Sequence, residues 1–476
     1  MTRTCTLHIL HTNDLHSHFA QVPQIAACLH QKRTIWENEG AHVLTIDIGD
    51  HVDRMSEPTE ATWGRVNTEI LNQSGYQYVT IGNNEGLTLP KDRLNELYQH
   101  ADFTIVLGNL REPNQGGVPD WAVPYAIHQY GDVQIAILAV TAPFTPAYEL
   151  LGWEVLPPFP VLAEQIAALR SHVHAIVILS HLGYQMDVEM ASQLEGIDVI
   201  LGAHTHHLLE QGERVGKTLI AQTGKFGQHI GHVTLTINPA DKKVTSSHAE
   251  VFDPAHYEPD QKLADFVQEE TANAKRLLDT SSITLSRPFT LNWMEESPFA
   301  SFLAASLRAW THAEIGMANS GLLLTPLQAG PVTKHDLLRC LPHPINPCTV
   351  LLTGDQLCSL LERVLSPEMM HKQLRGFGFR GKVTGWMGLD GVSVEYCVSP
   401  ELNIKQVKVG GHPVRAEQKY RVATVDMFMY NRMFPELLGG EEVRFYLPEV
   451  LREVVAATLS NEAMVQASFS PRYFHC

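Results

Sequence analysis

Through residues 1–250 the chain repeats one order of pattern: a short apolar run, a polar loop, then a stretch with helical spacing. The runs 7–10 (LHIL), 42–48 (HVLTIDI), 78–82 (YVTIG), 104–108 (TIVLG), 133–140 (VQIAILAV), 175–180 (AIVILS) and 197–203 (IDVILGA) have the length and β-branched content of buried strands. Helical spacing separates them at 62–73 and 161–171, with Gly or Pro at the boundaries. Strands that alternate with helices bury both faces of a sheet, so the pattern predicts an α/β layered domain with its chemistry in the strand-end loops. Residues 254–280 are charged, lack glycine and keep helical spacing after Pro259, which predicts a linking helix. Beyond it, amphipathic helices at 299–312 and 353–365 and alternating strands at 392–396, 405–409 and 421–425 predict a second α/β domain. The expected division is 1–252, a linker helix 253–282, and 283–476.

Composition narrows the partners. With 35 basic against 52 acidic residues the formal net charge is -17, the wrong sign for broad binding to nucleic acid. The seven cysteines, Cys5, Cys28, Cys340, Cys348, Cys358, Cys397 and Cys476, show neither the close pairs of a zinc ribbon nor a disulfide framework, and the expectation is reduced thiols. No apolar run approaches the roughly 18 residues of a membrane span, and no signal-peptide pattern stands before the first strand. The expected setting is cytoplasmic, with a small-molecule substrate, no membrane and an oligomeric state left open.

Chemistry-bearing residues fall where the apolar runs end. The first run leads into Asp14 and His16, the second into Asp47, Asp50, His51 and Asp53, the third into Asn83, Asn84 and Glu85, and later ones into His181 and into His204, His206 and His207. Each alone has a plain explanation as a turn or capping residue. Five successive strand ends carrying Asp, His or Asn point to convergence on metal. Imidazole, carboxylate and amide oxygen together suit Zn, Mn or Fe better than an all-oxygen magnesium site.

In order, HTNDLH, GDHVDR, GNNE, SHLG and GAHTH resemble the metallophosphoesterase superfamily, and within it the two-domain 5'-nucleotidase family. The likeness continues through AQTGKFGQHIGHVTLTI and, more weakly after residue 285, through ANSG, LPHPINP, LTGDQL and FRGKVTG. The resemblance implies a four-layered sandwich of two packed sheets flanked by helices, joined to a smaller α/β substrate domain. It implies two divalent ions (Mn, Zn, Fe or Co), one held by Asp14, His16 and His206, the other by Asn83, His181 and His204, with Asp50 bridging. It also implies hydrolysis of a nucleotide or nucleotide-like phosphate, through a hydroxide held between the ions, at a site between the domains.

Two departures bear on substrate. Where the family has GNHE followed by an aspartate, this chain has Asn84 and Leu87, so the usual histidine–aspartate dyad is absent. Asn84 stays the candidate catalytic contact to the phosphoryl group, but an amide cannot serve as a general acid. His18, His51 and Arg54 are candidate compensators, against a reading in which they only support the ligands. In the second domain Leu324 replaces the arginine of an NGGGIR-like turn. Asn319 matches a base-contacting asparagine, and Phe379 with Phe428 or Tyr430 matches the aromatic pair that sandwiches the base; the competing reading makes these core aromatics. Arg375 and Arg380 offer replacement charge, or form a solvated loop. The leading expectation is a dinuclear-metal phosphohydrolase. Its alternatives are a phosphodiesterase or pyrophosphatase for cyclic nucleotides, dinucleotides or nucleotide-sugars and, outside enzymes, a metal- or nucleotide-binding regulator.

Overall fold

The computed structural model describes residues 4–113, 116–374, 376, 378–398, 402–430 and 432–476. The chain separates into two compact units, Met1–Ala274 and Lys275–Cys476.

The first unit holds two six-stranded sheets. One runs in the order Lys243–Phe252, Ile230–Asn238, Cys5–Thr12, His42–Asp47, Tyr78–Val79, Thr104–Ile105; the other runs Glu213–Val215, Thr218–Ala221, Val199–Gly202, Ala175–His181, Val133–Thr141, Tyr125–Tyr130. Side chains alternate across each strand. Ile135, Ile137 and Ala139 face the first sheet in one apolar cluster with Ile9, Leu44 and Val233, while Ala136, Leu138 and Val140 pack outward against Leu162 and Ile166 of the helix Pro158–Leu169. On the other side Phe19, Val22, Ala26, Val66 and Ile70 form a helical layer with Leu263. The result is helix, sheet, sheet, helix.

Four strands of the first sheet, from Cys5–Thr12 to Thr104–Ile105, are parallel neighbours, as are Val133–Thr141, Ala175–His181, Val199–Gly202 and Thr218–Ala221 in the second. Parallel strands bring their C-terminal ends to the same edge, which gathers the chemistry-bearing loops.

Two expectations are corrected in detail. The helix expected over 62–73 is broken, because Trp63 and Gly64 both take left-handed φ, 52° and 85°, separating Glu57–Thr62 from Arg65–Ser74. The strands expected over 78–82 and 104–108 are shortened to Tyr78–Val79 and Thr104–Ile105, with Val106 adding an isolated bridge to Val123.

In the second unit a five-stranded sheet, ordered Met387–Asp390, Ile315–Asn319, Lys419–Val425, Pro347–Thr353, Glu441–Phe445, packs against the helix Pro298–Thr311. The terminal strand Tyr473–His475 adds in parallel to Val392–Val398. That pairing sets Cys476 beside Cys397 with Cα atoms 5.3 Å apart, and the two form a disulfide. The expectation of reduced thiols throughout is corrected here: the partners are 79 residues apart and only strand pairing joins them. The helix Gln261–Leu278 occupies the stretch read as a linking helix. Among the described residues no helix is long and apolar enough to cross a membrane.

Candidate metal centre

At the shared strand-end edge of the first unit, two groups of ligand atoms assemble. One is Asp14, His16 and His206, the other Asp50, His181 and His204, and within each group the atoms lie within 4.8 Å of one another. The groups touch through the carboxylates. Asp50 Oδ2 lies 3.5 Å from His181 Nε2 and 3.8 Å from His16 Nε2, and Asp14 Oδ1 lies 3.4 Å from His206 Nε2 and 3.7 Å from His16 Nε2. Asn83 starts the short helix Asn83–Thr88, and its Oδ1 is buried without a hydrogen-bond partner among the described residues.

Strained backbone builds this cluster. Asp14, His16, Asp50, His204 and His206 all have positive φ, from 46° to 75°. Such conformations cost on the order of 1 kcal/mol or more each and persist only where the surroundings enforce them. The enforcement is visible. Glu85 accepts from the backbone N–H groups of Asp50 (2.9 Å), Val52 (2.7 Å) and Gly82 (2.8 Å), clamping two loops with one carboxylate. Asn13 donates to Asp14 Oδ2 at 2.8 Å and to Gly224 O at 2.8 Å. Gly82 is required by space, because a Cβ there would overlap Asp50 Oδ1 and His181 Nε2.

The donor set fits divalent metal. His181 Nδ1 donates to Ile48 O at 2.7 Å, which leaves the Nε2 lone pair facing the cluster, and that buried atom has no hydrogen-bond partner among the described residues. The electrostatics favour a cation. Burial lowers the His181 pKa, but Asp50 and Asp14 outweigh it and push it up to about 10. Asp50 is fully buried, which raises its pKa, yet His181, His16 and the Asn84 N–H hold it well below the usual carboxylate range.

The departures from the family pattern acquire geometry. Asn84 Nδ2 donates to Val52 O at 2.8 Å and lies 3.0 Å from His16 Nδ1, so the amide is turned onto the protein. Arg54 is buried on Glu60 at 2.8 Å, and His51 lies 3.4 Å from Asp47 and 3.6 Å from Glu85. Both are spent within the loops. His18 stacks on Phe226 with ring centres 3.7 Å apart. Sequence reasoning missed Asn13 and Phe226: one lies inside the HTNDLH motif, directly before Asp14, as an ordinary polar residue, and the other shows its strain only in three dimensions.

In the second unit Asn319 is fully buried, donating Nδ2 to Thr384 O at 2.7 Å. Phe379 is buried and stacks on His343 at 5.5 Å. Phe428 is fully buried edge-on to Phe434 at 4.7 Å, which leaves it no open face for a base, against the expectation; packing in the apolar core is the reason. Tyr430 is exposed and stacks on Phe445. Arg375 lies outside the described residues. Arg380 lines a cavity of about 260 Å³ with Trp293, Gly321, Leu324 and Lys382.

Comparison with known proteins agrees with this picture. Residues 7–208 match the model of the calcineurin-like phosphoesterases, and 271–432 that of the 5'-nucleotidase C-terminal domain. The chain is 39% identical over 459 residues to an uncharacterized metallophosphoesterase, YunD, of Bacillus subtilis (strain 168), covering 96% of this chain and 99% of that one. Among solved structures, the Haemophilus influenzae NAD nucleotidase superposes with a TM-score of 0.69 at 15% identity, over 99% of this chain and 98% of the other. A putative 5'-nucleotidase from Staphylococcus aureus gives 0.67 at 17% identity, over 99% of both chains. These two share the fold. The chain belongs to the metallophosphoesterases of the two-domain 5'-nucleotidase family. It is a phosphoester hydrolase, and its family works with divalent metal ions.

Proposed function

We propose that the chain is a dinuclear-metal phosphohydrolase for small nucleotide-like phosphates. The observation that carries this reading is the pair of contiguous ligand groups joined through Asp50. Asp14, His16 and His206 would hold one ion, and Asn83, His181 and His204 the other, with Asp50 shared. Bound there, divalent ions such as Mn, Zn, Fe or Co acidify water and neutralise phosphoryl oxygens. The protein's own part is to keep the ligands in place: Glu85 fixes the Asp50 and Gly82 loops, Asn13 aims Asp14, and Ile48 O sets the His181 tautomer.

Asn84 decides what can leave. Its amide supports His16, and it has no proton to give near neutral pH, so the leaving group must depart unassisted. This favours a phosphoanhydride or an activated ester over a plain alkyl ester. The variant reading, a pyrophosphatase or phosphodiesterase for dinucleotides, cyclic nucleotides or nucleotide-sugars, draws its support from the same residue.

The test is product formation by protein loaded separately with manganese, zinc, iron and cobalt, followed as released phosphate and, for bonds whose cleavage frees none, as nucleotide products resolved by chromatography. The panel is nucleoside mono- and diphosphates, dinucleotides, cyclic nucleotides and nucleotide-sugars, with Asp50→Asn as control. Turnover with metal bound and lost in the control is the expected result. Silence across the panel with two ions bound per chain would transfer the argument to a metal- or nucleotide-binding regulator, and alkyl monoesters cleaved as fast as anhydrides would sink the role given to Asn84.

A further inference from the structure

Phe226 has φ of 62°, a conformation that bulky residues rarely adopt, and its N–H donates to Asp14 O at 2.7 Å. The strain places a half-buried ring at the rim of the ligand cluster. That ring lies face to face with half-buried His18 at 3.7 Å, edge-on to His16 at 5.8 Å, and 6.5 Å from His206. The preceding residue completes the arrangement. Lys225 Nζ lies 4.5 Å over the centre of the Phe226 ring, and no carboxylate among the described residues pairs with it. A cation without a counter-ion is thus held one ring away from the metal ligands. The other positions where the family carries charge for substrate are neutral here, at Asn84 and Leu324.

We propose that Lys225 and Phe226 form a subsite for a second phosphate, joined by an anhydride to the one that is hydrolysed. The inference rests on the phosphohydrolase reading above. An ammonium meets phosphate as a compact charge with three donors, and the ring beside it excludes water and strengthens the contact. The subsite also agrees with the absence of an acid at position 84. Water adds to the terminal phosphorus, the anhydride P–O bond breaks, and its electron pair leaves on the second phosphate, which needs no proton at neutral pH. The water's proton passes to solvent. Lys225 screens the charge that this departure creates.

The experiment uses the full-length, manganese-loaded protein as wild type, Lys225→Met, Lys225→Arg and Phe226→Leu. Calorimetry measures the binding of methylenediphosphonate, a non-hydrolysable pyrophosphate analogue, and of methylphosphonate. The expected result is that Lys225→Met weakens the diphosphonate at least tenfold more than the monophosphonate, that Lys225→Arg recovers most of the loss, and that Phe226→Leu falls between. Metal content and melting temperature report whether each variant is folded and loaded. Equal losses for both ligands, no loss for either, or a wild type that binds neither would overturn the subsite. A wild type that binds the diphosphonate through Lys225 yet hydrolyses nothing would instead refute the phosphohydrolase reading and leave the subsite standing.

Discussion

Asp187 allows a quantitative test of how the strand ends are held. Its carboxyl is fully buried, accepting from Ser180 Oγ at 2.5 Å and from Gln222 Nε2 at 2.7 Å, beside Gly202, where a Cβ would overlap its Oδ2. It thus ties the strand that carries His181 to Gln222, just past the strand Thr218–Ala221, and lies against the end of the strand that leads to His204. Burial raises its pKa from 3.8 to about 7, against the lowering effect of Ser180, Gln222 and His181. A shift of this size corresponds to about 4 kcal/mol. The sign follows from proton counts: between the two pKa values the folded chain keeps a proton that the unfolded chain has lost, so stability falls as pH rises. The contribution is fully present below the unfolded value, and about 3 kcal/mol of it is lost between pH 5 and pH 8.5. Asp187→Asn removes this dependence while keeping the volume, since an amide accepts from Gln222 through Oδ1 and donates to Ser180 through Nδ2. The assay is urea unfolding of chelated protein, read by hydrogen exchange in the peptide spanning 175–187 at the two pH values. The advantage of the variant over wild type should grow by about 3 kcal/mol from pH 5 to pH 8.5. A difference that stays constant with pH would refute a carboxyl protonated in the fold.

Three further outcomes follow from the site. Gly82→Ala should abolish metal retention, because the added methyl displaces Asp50 and His181 together; elemental analysis of the purified variant checks this, and two ions per chain would contradict it. Asn84→Ala should weaken binding of the ion at His16 by about tenfold or more, the usual effect of losing a ligand's supporting hydrogen bond, as measured by competition with a chromogenic chelator. Chelation should lower the melting temperature of the wild type, since an ion at a thousand times its dissociation constant contributes about 4 kcal/mol; the shift should vanish in Asp50→Asn.

The layered fold was legible because burial on both faces leaves a strong trace: 133–140 and 175–180 are apolar without interruption, and both became central strands. The family, and the loops that meet at the cluster, were legible for a related reason. Parallel strands force their ends together, so residues far apart in sequence but alike in position converge. What remained hidden depends on pairings that leave no periodicity. Cys397 and Cys476 look like two scattered thiols until a terminal strand joins the sheet. Phe428 matched an aromatic position by motif, but whether a ring lines a site or fills a core is decided by neighbours such as Phe434. Asp187 lies on a helix, seven residues from Ser180, and only the packing of that helix under the strand ends gives its carboxyl a task.

The left-handed backbone at Asp14, His16, Asp50, His204 and His206 also bears on how metal would be acquired. The Asp50 loop is held by Glu85, which also takes the Gly82 N–H, and the His16 N–H donates to Asp50 O at 2.8 Å. The ligands brought together are imidazole nitrogens and carboxylate oxygens, a mixed set that several divalent ions would accept. Intrinsic affinity at such a set would rise from Mn through Fe to Co, so occupancy would reflect that order weighed against the supply of each ion. Which ion the protein carries would then depend in part on what its surroundings supply, so the same polypeptide grown on different media would be expected to yield preparations of different metal content and different catalytic rate.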